Sequence, residues 1–244
     1  MIKETVPPIS ENPAPRKTLG ILGGMGPAAT ADFLAKLTAQ TPAKVDQEHI
    51  RSVVCCFSDI PDRTDAILAC GPSPVPAMLR SLALLERCGV ANIAIPCNTA
   101  HYWFEAMQGN TIVPIIHIVD AVREALIDQG ALGRPVGLLA TTATIRAGVY
   151  TKRLASHGID CLCPLDDDQA IVMDAIRQIK AGENNRKLES GLRVVMQRLR
   201  RRGAGSIVLG CTELPLVYPK DAPGVLDSTA ALARECIRQH IRES

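Results

Sequence analysis

Two of the nine cysteines stand where this chain would carry chemistry. Cys97 and Cys211 each follow a short run of branched apolar residues, 91–95 and 206–209. Such runs predict buried parallel strands, and the carboxyl ends of parallel strands hold the ligand sites of open α/β sheets. A thiolate can remove a proton from carbon and a thiol can deliver one. Two thiols on opposite sides of a cleft could therefore transfer protons on opposite faces of one carbon atom.

Small polar residues beside the cysteines are suited to hold a carboxylate. Asn98 and Thr99 follow the first cysteine, Thr212 follows the second, and Thr141 and Thr142 follow a third apolar run. Such residues cap helices, and backbone N–H groups at a helix N-terminus bind anions and stabilise developing negative charge. The same position lowers the pKa of a thiol below its free value of about 8.5. We therefore expect these segments to bind a substrate carboxylate and to activate the thiols.

The other seven cysteines are predicted to be core or incidental packing, because free cysteine is among the most buried residue types. They are Cys55, Cys56, Cys70, Cys88, Cys161, Cys163 and Cys236. The total is odd, and the chain has no CxxC pair and no Cys/His spacing typical of zinc ligands. These features argue against a metal site and a disulfide framework, and they favour a reducing compartment such as the cytoplasm.

Length and charge narrow the possible partners. A chain of 244 residues fits one large α/β domain or two of about 100 to 120 residues. Lysine and arginine total 27 against 25 for aspartate and glutamate, and the one basic cluster, 198–202, fits the exposed end of a helix before Gly203. No apolar run approaches the roughly 18 residues of a membrane span, and the start is unlike a signal peptide. We expect no nucleic-acid or membrane partner and a cytoplasmic location.

The first half of the chain alternates strands and helices after a polar start. Residues 1–16 contain four prolines and no apolar periodicity, which predicts a flexible tail. Pro27 is placed to begin a helix and Gly89 to end one. The predicted order is a strand at 18–22, a tight turn at 23–26, a helix at 27–38, a strand at 51–57, a polar loop at 59–64, a helix at 76–88 and the first cysteine strand.

The second half repeats this order. A strand at 135–139 and a polar turn at 141–144 lead into a helix, a strand, a long helix and the second cysteine strand. The distance from Gly23 to Cys97 is 74 positions and that from Ala140 to Cys211 is 71, although side-chain identity between the halves is slight. An architectural repeat of this kind predicts two lobes that face each other across a pseudo-twofold axis, each contributing one cysteine to a shared cleft.

Five blocks of the sequence together resemble one known family. They span about residues 17–240 in the family's order, and any one of them alone would be a weak signal. The blocks are 19–27 (LGILGGMGP), 60–64 (IPDRT), 96–101 (PCNTAH), 138–142 (LLATT) and 210–213 (GCTE). In this combination the chain resembles the aspartate/glutamate racemase family, and within it most of all the aspartate racemases.

The resemblance implies a fold and a reaction. The fold is α/β with two pseudo-symmetric lobes, each a parallel four-stranded sheet flanked by helices, with residues 17–115 plus 223–244 in the first lobe and 116–222 in the second. The implied reaction is racemisation of aspartate, and of glutamate in broader relatives, without PLP, metal or other cofactor, commonly in a homodimer. Cys97 and Cys211 are then the two acid/base residues, and the first-lobe thiol serves the D-isomer.

The resemblance also assigns contacts to an acidic amino acid. Arg63 and Lys180 match the cations that hold the side-chain carboxylate in aspartate racemases, and arginine pairs with a carboxylate through two parallel hydrogen bonds. Further substrate contacts fall on Met25, Asn98, Thr99, Thr141, Thr142 and Thr212.

Four other polar residues near these motifs have open interpretations. His101 could tune the first thiol or be an ordinary helix-face residue, and Glu213 could orient the second thiol or cap a helix. His117 fits a core or hinge residue. Asp62 is given no catalytic role.

Three other functions stay open at this point. Residues 24–29 fit the G-x-G-x-x-G/A turn of dinucleotide-binding domains. The acidic residue expected about 20 positions later should end the next strand, but that strand is predicted to run to about residue 57, and the nearest acidic candidate at its end, Asp59, lies 30 positions beyond Ala29. A cysteine isomerase or decarboxylase acting on a diacid such as maleate would share the scaffold, and the intact cysteine pair with Arg63 favours racemisation over it. A catalytically silent ligand-binding relative would show no turnover for Cys97→Ser to abolish.

Overall fold

The computed structural model describes residues 17–218 and 223–242, and the predicted tail at 1–16 lies outside them. Within those ranges the chain forms two four-stranded parallel sheets flanked by helices. The predicted α/β class with two such sheets is confirmed. No helix in the described ranges is long and apolar enough to cross a membrane.

The first sheet is built by the first half of the chain. Its strands are β1 (Thr18–Gly23), β2 (Arg51–Cys56), β3 (Asn92–Ala94) and β4 (Ile115–Ile116), paired in the order β2-β1-β3-β4. The helices of this half are α1 (Pro27–Gln40), α2 (Arg63–Leu68), α3 (Val75–Arg87) and α4 (Phe104–Gln108), with a 3-10 helix at Thr99–Trp103. The central strands β1 and β3 are almost wholly buried, as apolar runs in a covered parallel sheet should be.

The second sheet repeats this order. Its strands are β5 (Val136–Leu139), β6 (Cys161–Leu162), β7 (Ser206–Leu209) and β8 (Val225–Asp227), paired as β6-β5-β7-β8. The helices are α5 (Ile118–Asp128), α6 (Thr142–Ala147), α7 (Thr151–Ala155), α8 (Asp166–Lys180), α9 (Arg186–Arg201) and α10 (Ser228–Arg242). The two cysteine-bearing turns therefore follow the matching central strands β3 and β7.

Two predicted segments differ in detail. The long helix before β7 is two helices, α8 and α9, because Gly182 takes a left-handed φ of 89° and Asn185 caps the second helix by accepting from two backbone N–H groups. The polar loop at 59–64 contains the start of α2, since the Asp62 side chain accepts from two backbone N–H groups of that helix. In both places a cap residue decides where a helix begins.

The strand pairing corrects the expected lobe boundaries. The expected first lobe includes residues 223–244, but β8 pairs with β7 in the second sheet, so that assignment is wrong for β8. β8 is the edge strand of the second sheet and pairs with β7, and the α10 helix that follows it packs against α1 and α5. β4 pairs with β3 and includes Ile116, which places that residue in the first sheet rather than beyond the boundary at 115.

One apolar core joins the two halves. It contains Leu19 and Phe33 from the first half, Leu138 and Val208 from the second, and side chains of α5 and α10 between them. A continuous core of this kind fixes how the two sheets are placed. It also brings the carboxyl ends of the two sheets to a shared cleft.

Candidate active site

Cys97 and Cys211 lie just beyond the carboxyl ends of the two central strands. β3 ends three residues before Cys97, and β7 ends two residues before Cys211. Both cysteine residues are 5% exposed, and both line one small cavity between the halves. The predicted strand ends thus bring the two thiols to the same site.

Residues from both halves line this space, which we call the inner cavity. The first half contributes Met25, Asp62, Arg63, Thr64, Cys97, Asn98 and Thr99, and the second half contributes Thr141, Lys180, Cys211, Thr212 and Glu213. Every substrate contact expected from the sequence is in this lining except Thr142. As the first residue of α6, Thr142 donates its backbone N–H to Met173 Sδ and accepts a hydrogen bond from Gln169, so its polar groups have other partners.

Backbone N–H groups beside both thiols are available to an anion. Those of Asn98, Cys211 and Thr212 have no acceptor among the described residues. Buried N–H groups seldom stay unpaired, and a carboxylate bound between the halves would satisfy them. They come from both cysteine turns, so one ligand could be held by both halves at once.

Three threonine hydroxyls form a buried contact across the halves. Thr99 Oγ1 lies 3.1 Å from Thr141 Oγ1 and 2.9 Å from Thr144 Oγ1, and the last two lie 2.9 Å apart. Thr141 also caps α6 by accepting from the backbone N–H of Thr144. The hydroxyls of Thr99 and Thr141 thus have protein partners.

A carboxylate keeps the proton on Cys211. Its Sγ donates to Glu213 Oε2 at 3.0 Å, and Thr212 Oγ1 lies 3.3 Å from the same oxygen. Burial raises the pKa of the Cys211 thiol well above its ordinary value, and the charge of Glu213 raises it further, while Lys180 opposes them. Cys211 is therefore a thiol at neutral pH. Glu213 Oε1 is buried with no hydrogen-bond partner among the described residues.

The two expected cations differ in how they are held. Arg63 is 7% exposed, and its Nη1 donates to the carbonyl oxygens of Ile60 and Pro61 at 3.0 Å each. Lys180 lies at the end of α8, and its Nζ is 3.7 Å from Asp62 Oδ2. Arg63 is thus fixed by its own loop, whereas Lys180 forms an ion pair with the opposite half.

Neighbouring charges keep both members of that ion pair ionised. Burial lowers the pKa of Lys180, but the charges of Glu213 and Asp62 help to raise it above its ordinary value. Burial raises the pKa of Asp62, but a hydrogen bond from the backbone of Asp65 and the charge of Lys180 bring it below its ordinary value. The pair therefore carries both charges at neutral pH.

The inner cavity adjoins a wider cleft, and Asp62, Arg63, Lys180 and Glu213 line both. The wider cleft has a volume of about 390 Å³. The inner cavity has about 10 Å³, which is at the lower limit of the roughly 10 to 15 Å³ that a cavity needs to hold one water molecule. A small-molecule ligand therefore has no room at the thiols in this arrangement, and the nearest contact between the halves that would have to open is the one between Asp62 and Lys180.

Comparison with known proteins identifies the family. A sequence profile described as Asp/Glu/Hydantoin racemase matches residues 22–236. The chain belongs to this family. Its members include amino-acid racemases, so the chain is assigned to the isomerases that act on small amino acids.

Three relatives of this family member illustrate its range. It is similar to the solved structure of an aspartate racemase from Picrophilus torridus, with a TM-score of 0.80 and 34% identity over 92% of this chain and 94% of that one. It is 26% identical over 234 residues to a broad-specificity amino-acid racemase of Bacillus subtilis, covering 91% of this chain and 98% of that one. It is 28% identical over 250 residues to a glutamate racemase of Deinococcus radiodurans, covering 94% of this chain and 79% of that one.

In this racemase-family chain, His101 supports the Cys97 turn without lining the inner cavity. Its Nδ1 lies 2.9 Å from the carbonyl oxygen of Cys97, and its Nε2 accepts from the backbone N–H of Ile118 at 3.2 Å. Burial lowers the pKa of His101 to about 4, so the ring is neutral at pH 7. His117 caps α5 through Nδ1, and burial lowers its pKa too, which fits a structural residue.

The structure adds site residues that the sequence did not assign. Asp62 and Thr64 line the inner cavity of this racemase-family chain. A polar residue before a helix predicts a cap, as Asp62 is, but that local signal says nothing about a cavity. The contact between Asp62 and Lys180 spans more than a hundred positions, which no local pattern reveals.

The other seven cysteines of this racemase-family chain are not all packing residues. All nine cysteines are free. Cys55 and Cys236 are buried and Cys161 and Cys163 partly buried, whereas Cys56, Cys70 and Cys88 are exposed. A core position is therefore wrong for the last three, which are exposed in the first half, and incidental placement stays the prediction for them.

Proposed function

We propose that the protein racemises aspartate, with glutamate as a weaker substrate, by transferring a proton between two thiols without a cofactor. The observation that carries the proposal is the inner cavity itself. Two buried cysteines from equivalent strand ends line one enclosed space together with two cations and with backbone N–H groups that have no acceptor in the described part of the chain. The similarity to an aspartate racemase over most of both chains supports the choice of substrate.

The proton moves in one direction for each isomer. For the D-isomer, Cys97 is a thiolate that removes the α-proton, and Cys211 is a thiol that donates its proton to the opposite face of the carbon. The two sulfurs finish with their protonation states exchanged, which is the form that accepts the L-isomer. The hydrogen bond from Cys211 to Glu213 supports Cys211 as the acid of the first form.

The substrate's carboxylates are held by different groups. The α-carboxylate accepts from the backbone N–H groups of Asn98, Cys211 and Thr212, which also stabilise the negative charge that develops on it as the proton leaves. The side-chain carboxylate pairs with Arg63 and with Lys180, which gives up Asp62 when the cleft opens. One additional methylene changes binding in a pocket by about 1 to 3 kcal/mol, so glutamate remains a substrate at lower efficiency.

The experiment is loss of the α-proton NMR signal in D₂O, followed separately for L-Asp, D-Asp, L-Glu and D-Glu, with reductant and a metal chelator and no PLP. Aspartate should exchange with inversion faster than glutamate, and the double variant Cys97→Ala/Cys211→Ala should show neither. If none of the four amino acids exchanges, the proposal fails and diacids of the maleate type or a binding role come next. The cytoplasmic location and the homodimer belong to the same proposal, and cell fractionation and light scattering test them.

A further inference from the structure

Both polar atoms of the Asn98 side chain form hydrogen bonds to other residues of the protein. Asn98 is 2% exposed, its Nδ2 donates to Ser228 Oγ at 3.1 Å, and its Oδ1 accepts from the Tyr150 hydroxyl at 2.6 Å. Both partners belong to the second half of the chain. The residue that follows Cys97 is thus held to the opposite half by its side chain, while its backbone N–H has no acceptor among the described residues.

Tyr150 touches both cysteine turns. Its hydroxyl bonds to Asn98, one residue after Cys97. Its ring lies against Gly210, one residue before Cys211: a Cβ at Gly210 would be 3.3 Å from Tyr150 Cε2 and 2.7 Å from Leu138 Cδ1. Tyr150 is fully buried, so this rigid ring spans the distance between the two turns.

Ser228 makes a second link between the same two turns. Its hydroxyl accepts from Asn98 and donates to the carbonyl oxygen of Leu209 at 2.7 Å. Leu209 is the last residue of β7, two positions before Cys211. Ser228 is fully buried as well, so water does not compete for these bonds.

These contacts differ from the contact at the mouth of the cleft. There the halves meet through the ion pair of Asp62 and Lys180, at 3.7 Å and with side chains 44% and 36% exposed. An exposed pair of this kind is weak and opens readily, whereas a buried and fully paired polar network is rigid. The cleft can therefore open at its mouth while the two cysteine turns keep their separation.

We propose that Asn98, Tyr150 and Ser228, named here the Asn98 brace, set the separation of the two reacting sulfurs, and that Tyr150 and Ser228 are positioning residues for racemisation. The inference rests on the proposed two-thiol reaction. The α-carbon must lie between the sulfurs in reach of both, and a misplacement of 1 Å in such a geometry costs roughly 10²-fold in rate. Neither residue touches the substrate, because neither lines the inner cavity.

The test compares brace variants with matched controls. Tyr150→Phe removes one hydroxyl from the brace, and Ser228→Ala removes the other. Tyr218→Phe and Ser206→Ala remove hydroxyls from residues that are each 6% exposed, in the same half and outside the brace. If Ser228→Ala does not fold, Tyr150→Phe, which keeps the ring against Gly210, carries the test alone.

We expect the brace variants to lose kcat by roughly 10- to 100-fold with KM changed by about twofold or less, and the controls to keep both. In D₂O the substrate recovered from brace variants should also gain deuterium without inversion. When the acid is misplaced, the sulfur that removed the α-proton has time to exchange it with D₂O and to return a deuteron to the same face of the carbon. The fold-loss of kcat in the double variant Tyr150→Phe/Ser228→Ala should be smaller than the product of the fold-losses in the two single variants, since both residues act through Asn98.

A separate measurement does not need turnover. The rate at which iodoacetamide alkylates Cys97, followed by mass spectrometry, should rise in the brace variants relative to the controls. If wild-type protein racemises while the brace variants match the controls in kcat, deuterium distribution and alkylation, the brace is refuted. If wild-type protein racemises nothing but alkylation of Cys97 rises in the variants, the proposed function fails and the structural linkage stands.

Discussion

The two cysteine turns occupy equivalent positions in the two halves but have different surroundings. At the Cys97 turn the neighbouring contacts hold the backbone: His101 bonds to the Cys97 carbonyl, and the Asn98 side chain is fixed in the brace. At the Cys211 turn the contact is to the sulfur itself, which donates to Glu213. Among the described residues no carboxylate accepts a hydrogen bond from Cys97 Sγ. A fold that is symmetric in its strands is therefore asymmetric in its electrostatics, with Cys211 held in its protonated thiol form.

Removing either sulfur should have the largest effect. Cys97→Ser and Cys211→Ser should each lose racemisation by roughly 10²- to 10⁴-fold, because each removes one of the two proton-transfer groups. The asymmetry predicts a difference between them: Cys211→Ser keeps the base for D-aspartate and still exchanges its α-proton without inversion. α-Proton NMR in D₂O measures both reactions, with Cys236→Ser, a buried cysteine in α10, as the control. Equal residual exchange of both isomers in both variants would contradict the asymmetry.

A substitution of Lys180 tests the positive charge that opposes the effect of Glu213 on the pKa of Cys211. Lys180→Met should lower kcat/KM for aspartate by roughly 10- to 100-fold, since a hydrogen bond to a charged group is worth about 1.5 to 3 kcal/mol. Lys180 also lowers the pKa of Cys211. Without it the acid stays protonated to higher pH, so the high-pH limb of the kcat/KM profile should move upward. Lys187→Met, at an exposed position on α9, is the control. An unchanged limb would show that Lys180 does not act on the thiol.

Removing the charge of Glu213 should move the high-pH limb of the kcat/KM profile to lower pH. Glu213→Gln keeps an oxygen that can accept from Cys211 Sγ but removes the charge that raises its pKa. A charged neighbour shifts a pKa by about 1 to 3 units, so the high-pH limb should fall by about that amount. Asp62, Arg63, Lys180 and Cys97 also face the inner cavity and are unchanged in this variant.

The control for this variant is Glu105→Gln, which alters an exposed carboxylate in the first half. The kcat/KM profiles of the two variants and the wild type decide the question. If the high-pH limb of kcat/KM lies at the wild-type pH in both variants, the charge of Glu213 does not act on the Cys211 thiol. The assignment of Cys211 as the acid then loses its electrostatic basis.

The sequence predicts the parts of this site that depend on local pattern. Short apolar runs predict β3 and β7, and the residues after them follow directly, so Cys97 and Cys211 are found without the structure. Glu213 stands two positions from its sulfur, so a hydrogen bond to Cys211 is foreseeable. Thr142 is assigned to the site only because it adjoins Thr141, and its groups bond elsewhere.

Contacts between distant segments are what the sequence leaves unpredicted. Asn98 is 52 positions from Tyr150 and 130 from Ser228, and no motif joins them. β8 is the strand that follows β7 along the chain, and its composition does not reveal which sheet accepts it. Each of these is decided by tertiary packing, which overrides local preference.

The smallest effect on catalysis is expected at His101, where the two turns also differ. The matching position in the Cys211 turn is Pro215, which offers no such hydrogen bonds. His101→Gln should lower the free energy of unfolding at pH 7 by about 1 to 3 kcal/mol, because it disturbs buried bonds to Cys97 and Ile118. At pH 7 kcat should change by less than about tenfold, because the residue holds backbone and lies outside the inner cavity.

The pH dependence of stability separates this support role from a catalytic one. Burial lowers the pKa of His101 from 6.5 to about 4, so the unfolded chain takes up a proton that the folded chain refuses. The resulting stability is fully present above pH 6.5 and falls, by about 3 kcal/mol in all, as the pH drops towards 4. The free energy of unfolding, measured with urea, should therefore fall more between pH 7 and pH 4.5 for the wild type than for His101→Gln. The pH dependence that His117 contributes to this free energy stays in both proteins. An unchanged slope in the variant, joined to a large loss of kcat, would make His101 part of the proton transfer and would give the Cys97 turn a titrating partner of its own.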